Sequence, residues 1–175
     1  MPRLRLLLID TVVVIRLHQF GLWETVIGAC DVHLSRGIVD EARYYDDLDG
    51  VRHPIDLTAC EDNGQIVVHG VSLAETEALR KKFGQDILEK LDAGEAELLA
   101  VLINRPFDEY QICSADRIVY RVLGALKLSD QGISLEEVFK AIGTTQATEH
   151  PYSKAFREQW SRRGFEEGMT GMSSL

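Results

Sequence analysis

The stretch Leu4-Arg5-Leu6-Leu7-Leu8-Ile9-Asp10 decides the fold class. Leu4 to Ile9 is a strand-length apolar run of the kind that a sheet buried on both faces requires, so it reads as a central strand, and Asp10 ends it with a carboxylate. A second run, Ile112-Cys113-Ser114-Ala115, is followed in the same way by Asp116. Both aspartates fall at strand ends or in the turns after them, the edge where open parallel sheets meet their ligands.

Outward from Asp10, Thr11 to Gln19 reads as a helix that Gly21 breaks, and Leu22 to Ala29 resumes with apolar residues at helical spacing. Val32-His33-Leu34 is a short second strand. Ser35 can cap a helix running to about Tyr45, and Asp46-Asp47-Leu48-Asp49-Gly50 is polar enough for a loop. The segment His53 to Cys60, the turn Glu61-Asp62-Asn63-Gly64 and the strand Gln65 to His69 predict a β-hairpin outside the parallel core, because Asn-Gly supplies the positive φ of a tight turn. Ser72 with Glu75, Asp92 with Glu95 and Ser134 with Glu137 have capping-box spacing. Tyr110 to Cys113 is the next buried strand and Asp116 to Leu126 the helix behind it. This alternation predicts an α/β fold, a central parallel sheet with helices on both faces plus an inserted β-hairpin and a C-terminal helix. Residues 1–150 form the domain, and 151–175 are a helical extension of it.

At 175 residues with a 45% apolar fraction, the chain can bury one sizeable core. The net charge of −9 sets the surface as a whole against nucleic acid, so a phosphate ligand must be met by a local basic patch or through bound metal. Cys30, Cys60 and Cys113 are odd in number and widely spaced, which argues against a disulfide framework or structural zinc and for buried thiols in a reducing cytoplasm. The charged-then-apolar start resembles a signal peptide, but Asp10 cuts the apolar run short, and no segment is long enough to span a membrane.

The chemistry sits in four acids, Asp10, Glu41, Glu95 and Asp116. Glu41 lies in the helix-like stretch Ile38-Val39-Asp40-Glu41-Ala42-Arg43, and Glu95 opens the helical stretch Ala93 to Asn104. Converging carboxylates repel one another, which makes a divalent cation their natural resident. Each acid also has a plainer reading: Asp10 caps the helix from Thr11, Glu95 closes a box with Asp92, and Asp116 satisfies the first amides of its own helix. The histidines His18, His33, His53, His69 and His150 show no paired zinc spacing and read as structural or surface residues. Arg80-Lys81-Lys82 reads as a solvated helix face.

Leu7-Leu8-Ile9-Asp10-Thr11, Val39-Asp40-Glu41-Ala42, Asp92-Ala93-Gly94-Glu95-Ala96 and Ile112-Cys113-Ser114-Ala115-Asp116-Arg117 together resemble, in order, the motifs of the PIN-domain family, a metal-dependent ribonuclease fold that includes toxins of toxin-antitoxin pairs. The resemblance spans roughly residues 4 to 142. It implies hydrolysis of RNA phosphodiester bonds with Mg²⁺ or Mn²⁺ held by Asp10, Glu95 and Asp116, and by Glu41 directly or through water. Thr11 and Ser114 would support the acids. Val12 departs from the polar residue, often asparagine, that many members carry there, and it also removes the second aspartate that a haloacid-dehalogenase phosphatase needs. An inactive PIN-like scaffold that binds RNA or protein is therefore the alternative, and an antitoxin or other protein, or a second copy of the chain, is the implied partner. In the tail, Tyr152, Phe156 and Trp160 form an aromatic stripe beside Lys154, Arg157, Arg162 and Arg163. It reads as a terminal helix docked on its own domain, with a dimer contact or partner-binding arm as the other option. Gly164, Gly168 and Gly171 weaken helix propensity, so Met169 to Leu175 is expected to fray.

Overall fold

A computed structural model describes residues 3–8, 10–83, 89, 91, 93–104 and 110–169. Four parallel strands form its sheet in the order β5-β2-β1-β6: β1 (Leu4–Leu8), β2 (Cys30–Ser35), β5 (Ile66–His69) and β6 (Gln111–Cys113). The first strand is central as its apolar run requires, with Leu6 opposite Val32 on one side and Gln111 on the other. Ile9 lies outside the described residues. Helices α1 (Thr11–Gln19), α2 (Trp23–Ala29) and α3 (Arg36–Glu41) connect the first strands, and Gly21 turns the chain between α1 and α2 at φ +65°. The α/β architecture expected from the alternation of elements is present, with a central parallel sheet, flanking and C-terminal helices, and an inserted hairpin.

That hairpin is not the one the Asn-Gly pair predicts. Its strands are β3 (Tyr44–Asp46) and β4 (Arg52–Pro54), paired antiparallel. Asp47 builds their turn by accepting from the amides of Asp49 (3.0 Å) and Val51 (2.9 Å), and Gly50 sits at φ +75°. Helix α3 consequently ends at Glu41 instead of continuing to Tyr45. Leu57–Asp62 is a helix, α4, because Asp56 caps it through the Ala59 amide (2.9 Å). Asn63 and Gly64 end that helix: the amides of Gly64 and Gln65 return to the carbonyls of Glu61 and Cys60, with Gly64 at φ +70°. The following strand then joins the parallel sheet beside β2. Positive φ is needed equally by a hairpin turn and a helix C-terminus, and the pair alone does not separate them.

Helices α5 (Leu73–Phe83) and α6 (Ala93–Asn104) cover the chain between β5 and β6. The boxes of Ser72 with Glu75 and Ser134 with Glu137 both close, each glutamate accepting from the serine amide at 2.9 Å. Asp92 lies outside the described residues, and with it the third box. Helix α7 (Arg117–Ala125) follows β6, and α8 (Leu135–Ala141) precedes the C-terminal helix α9 (Lys154–Met169).

The tail docks on its own domain. Tyr152 and Phe156 are buried, and α9 lies along α7. The helix runs through Gly164 and Gly168 to Met169 despite their low propensity, and the missing side chains let two backbones touch. A methyl group at Gly164 would run into the Arg121 carbonyl, and one at Gly124 into the Ser161 carbonyl. Partly buried ion pairs tie α9 to its neighbours, Glu167 to Arg121 of α7 at 2.8 Å and Arg157 to Glu137 of α8 at 2.7 Å. Residues 170–175, on which the expected fraying partly falls, lie outside the described residues. On an exposed helix face Gly→Ala stabilises by about 0.5–1 kcal/mol, whereas forcing atoms into a packed contact costs about 1–3 kcal/mol. Gly164→Ala is therefore expected to lower the urea midpoint and Gly143→Asn to lower it far less, because Gly143 has open space around it and asparagine is the side-chain residue that best tolerates its φ of +75°; a stabilised Gly164→Ala protein would show that α7 and α9 do not meet there.

Candidate functional site

Three of the four acids, Asp10, Asp116 and Glu41, are tied together at the C-terminal edge of the sheet through Ser114 and Thr11. Asp10 follows β1 and is 7% exposed. One of its oxygens, Oδ1, accepts from Val12 N at 2.7 Å and caps α1. The other accepts from Ala115 N at 3.0 Å and from Ser114 Oγ at 3.5 Å, both on the loop after β6. Ser114 Oγ in turn accepts from Asp116 N at 2.9 Å, and Asp116 Oδ1 caps α7 through Ile118 N at 2.8 Å. The hydroxyl of Ser114 thus stands between the two aspartates.

Glu41, exposed at the end of α3, reaches the same edge: Thr11 Oγ1 donates to its Oε2 at 2.8 Å. Thr11 is the residue after Asp10, so this bond ties α3 to the start of α1. Glu95 is 3% exposed in the first turn of α6. That turn faces the start of α3, where Gly37 N donates to Glu97 Oε2 at 3.3 Å and the Gly94 backbone stands close to Gly37. Hard oxygen donors suited to Mg²⁺ or Mn²⁺ are present at this edge. Among the described residues, no three His, Cys, Asp or Glu side chains are grouped to hold a metal ion. The plainer readings of Asp10 and Asp116 are correct as far as they go, since both aspartates cap helices.

Behind the edge, Tyr120 fixes Ser114. Its hydroxyl accepts from Ser114 N (3.2 Å) and lies within donating distance of the carbonyls of Ser114 (2.8 Å) and Ile133 (3.0 Å). Burial pushes this phenol well above its ordinary value and keeps its proton on. Nothing in the spacing of the sequence marks Tyr120; one turn into an amphipathic helix, it reads as core. The cysteines carry no nucleophile: Cys30 and Cys113 are buried, Cys60 is partly so, and desolvation raises each thiol, that of Cys30 to about 11.

A second polar cluster occupies the sheet itself. His33 Nδ1 lies 2.8 Å from His69 Nε2, and Tyr110 Oη lies 3.2 Å from His33 Nε2, at a cavity of about 660 Å³ that Arg5 and Asp31 also line. These histidines, read from their spacing as structural or surface residues, meet because β2 and β5 pair in parallel, which the hairpin expectation obscured. Burial first, then His69, hold the His33 imidazole down at about 4.

No family model matches the chain, and no curated protein or solved structure is significantly similar to it.

Two outcomes follow from these contacts. In Asp10→Asn one of the two amides, Val12 N–H or Ala115 N–H, must face an NH₂ group, so stability is expected to fall by about 1–3 kcal/mol. Asp116→Asn should fall by far less, because asparagine caps a helix as well as aspartate does. Urea unfolding of both variants checks the contrast, and equal losses would contradict the bridging role of Asp10. For His33, the unfolded chain binds a proton at its ordinary value of 6.5 and the folded one only near 4, so protons favour the unfolded state across that interval. Stability should therefore fall as pH drops from about 6.5 toward 4, and a His33→Leu variant should show a flatter profile there.

Proposed function

We propose that the chain is a metal-dependent endoribonuclease of PIN-like fold, acting as the toxin of a toxin-antitoxin pair. The observation that carries this reading is the buried Asp10 carboxylate at the end of the central strand, joined through Ser114 to Asp116 and flanked by the Thr11–Glu41 bond. Acids after β1, at the end of α3 and after β6 meet at one sheet edge, in agreement with three of the four sequence motifs, and the fourth, Glu95, is buried in the first turn of α6. Asp10, Glu95 and Asp116 would hold Mg²⁺ or Mn²⁺, with Glu41 completing the shell directly or through water. The chemistry such an ion supplies is a polarised phosphodiester and water of lowered pKa. Ser114 and Tyr120 keep the two aspartates oriented, and Thr11 restrains Glu41.

A second reading is a PIN-like scaffold that binds RNA or a protein, including a second copy of the chain, without cutting. It is favoured by the use of Asp10 and Asp116 as helix caps and by the lack of a three-donor group among the described residues. Val12, 52% exposed beside Asp10, adds no ligand. No helix among the described residues is long and apolar enough to cross a membrane. A cytoplasmic setting suits both readings.

Incubation with single-stranded RNA and Mn²⁺ is expected to give internal cleavage with 5′-phosphate and 3′-hydroxyl ends, abolished by chelator. Asp10→Asn and Asp116→Asn should each lose activity by orders of magnitude, and Glu41→Gln less. Calorimetric Mn²⁺ titration gives the readout that does not depend on substrate. No binding at millimolar metal, the weak end of carboxylate sites, would leave the scaffold reading.

A further inference from the structure

Arg117 follows Asp116 directly and is exposed at the first position of α7. In a chain of net charge −9 it forms no ion pair with a carboxylate among the described residues, although Asp116 precedes it directly. Its guanidinium instead lies over the indole of Trp160, 5.5 Å from the ring centroid. Arg163, one turn further along α9, approaches the same ring at 5.7 Å while its Nε bonds Glu167 at 2.9 Å. Trp160 is only partly buried, and Phe156 holds its edge at a centroid distance of 6.2 Å. A large aromatic ring, anchored on one side by Phe156 and flanked by two cations, is thus linked to the acidic edge by the side chain of Arg117, the residue after Asp116.

We propose that Trp160, with Arg117 and Arg163, is a stacking platform for a nucleobase of single-stranded RNA, holding the strand against the Asp116 end of the acidic edge. The choice of RNA rests on the nuclease reading above; the platform itself rests on the tail. Nucleobases stack on exposed aromatic rings in a sequence-tolerant way, and arginine adds attraction to the phosphates and to the ring. The guanidinium now over the indole is solvent-exposed, so an incoming base can displace it at small cost while the freed charge meets the phosphate. Such a device gives an acidic protein local attraction for a polyanion, which its mean surface cannot supply. Duplex RNA, whose bases are already stacked, gains nothing from it.

The chain has two tryptophans, and Trp23 is 4% exposed, so a ligand-induced change in emission reports Trp160. The full chain would be titrated in chelator, where no cutting occurs, with an oligouridylate of about 12 nucleotides, within the usual single-strand site size. Anisotropy of labelled RNA would be followed in parallel. Saturable quenching is expected, with weak response to duplex RNA. Trp160→Leu should weaken binding on the order of tenfold, Trp160→Phe should restore most of it, and Arg117→Gln should weaken binding and lower the salt slope by about one. Arg117 has no ion pair to lose, so its variant keeps the test valid if Trp160→Leu unfolds. Absence of RNA binding, binding that leaves emission unchanged, or equal affinity in a folded Arg117→Gln protein would each overturn the platform. Quenching in chelator by a protein that cuts nothing with Mn²⁺ would retain the platform and remove the nuclease reading; cleavage with silent Trp160 would do the reverse.

Discussion

A single buried carboxylate holds the C-terminal edge of this sheet together. Asp10 accepts from the amides of Val12 and Ala115, which belong to two different strand-helix junctions, so the exits from β1 and β6 are fixed relative to one another. A charge with so little solvent is tolerated only when hydrogen bonds replace its lost hydration, and backbone amides at a helix start do so at the positive end of the helix dipole. The same arrangement brings Ser114 and Asp116 beside Asp10. Any ligand site at this edge inherits its geometry from a capping interaction, which makes the structural and functional readings of Asp10 complementary.

The support extends inward through Tyr120. Its hydroxyl pins both Ser114 and the Ile133 carbonyl, while the Ile133 amide bonds Ile112 of β6 at 2.9 Å. The ring meets Phe156 of α9 edge-on at 6.3 Å. Helix α9 therefore backs the helix that presents Asp116, and the glycine contact at Gly124 and Gly164 is what permits that approach. This ties the C-terminal extension to the stability of the edge even though it contributes none of the four acids.

The central strand, its two neighbours and the positions of Asp10 and Asp116 were legible because continuous apolar runs ending in a polar residue have few alternatives in a parallel sheet. The region from Tyr44 to His69 was less so. Its short strands have only three or four residues each, too few to show a period, and Asn63-Gly64 satisfies the backbone rule for either a turn or a helix end. Gly164 posed the complementary difficulty: propensity judges a glycine by the isolated helix, whereas here its missing side chain is filled by another backbone. The four acids were legible as residues. That Ser114 would link two of them through its hydroxyl, and that Tyr120 would hold Ser114, depends on packing across more than one element.

Charge sets the remaining constraint on function. Much of the tail's basic character is committed to ion pairs: Arg157 bonds Glu137, Arg163 bonds Glu167, which also takes Arg121 of α7, and Lys154 stands 3.6 Å from Glu158. Each pair offsets a positive charge that would otherwise attract an anion. The broad positive surface that nonspecific nucleic-acid binders use is thus missing not only from the net charge but from the one segment where arginines concentrate. On the nuclease reading, a polyanionic substrate would then have to be drawn by exposed cations at the edge such as Arg117 and by a divalent ion that the acids would hold. Under that constraint metal affinity and strand affinity are coupled, because neutralising the carboxylates removes the repulsion that a phosphate backbone would otherwise meet there.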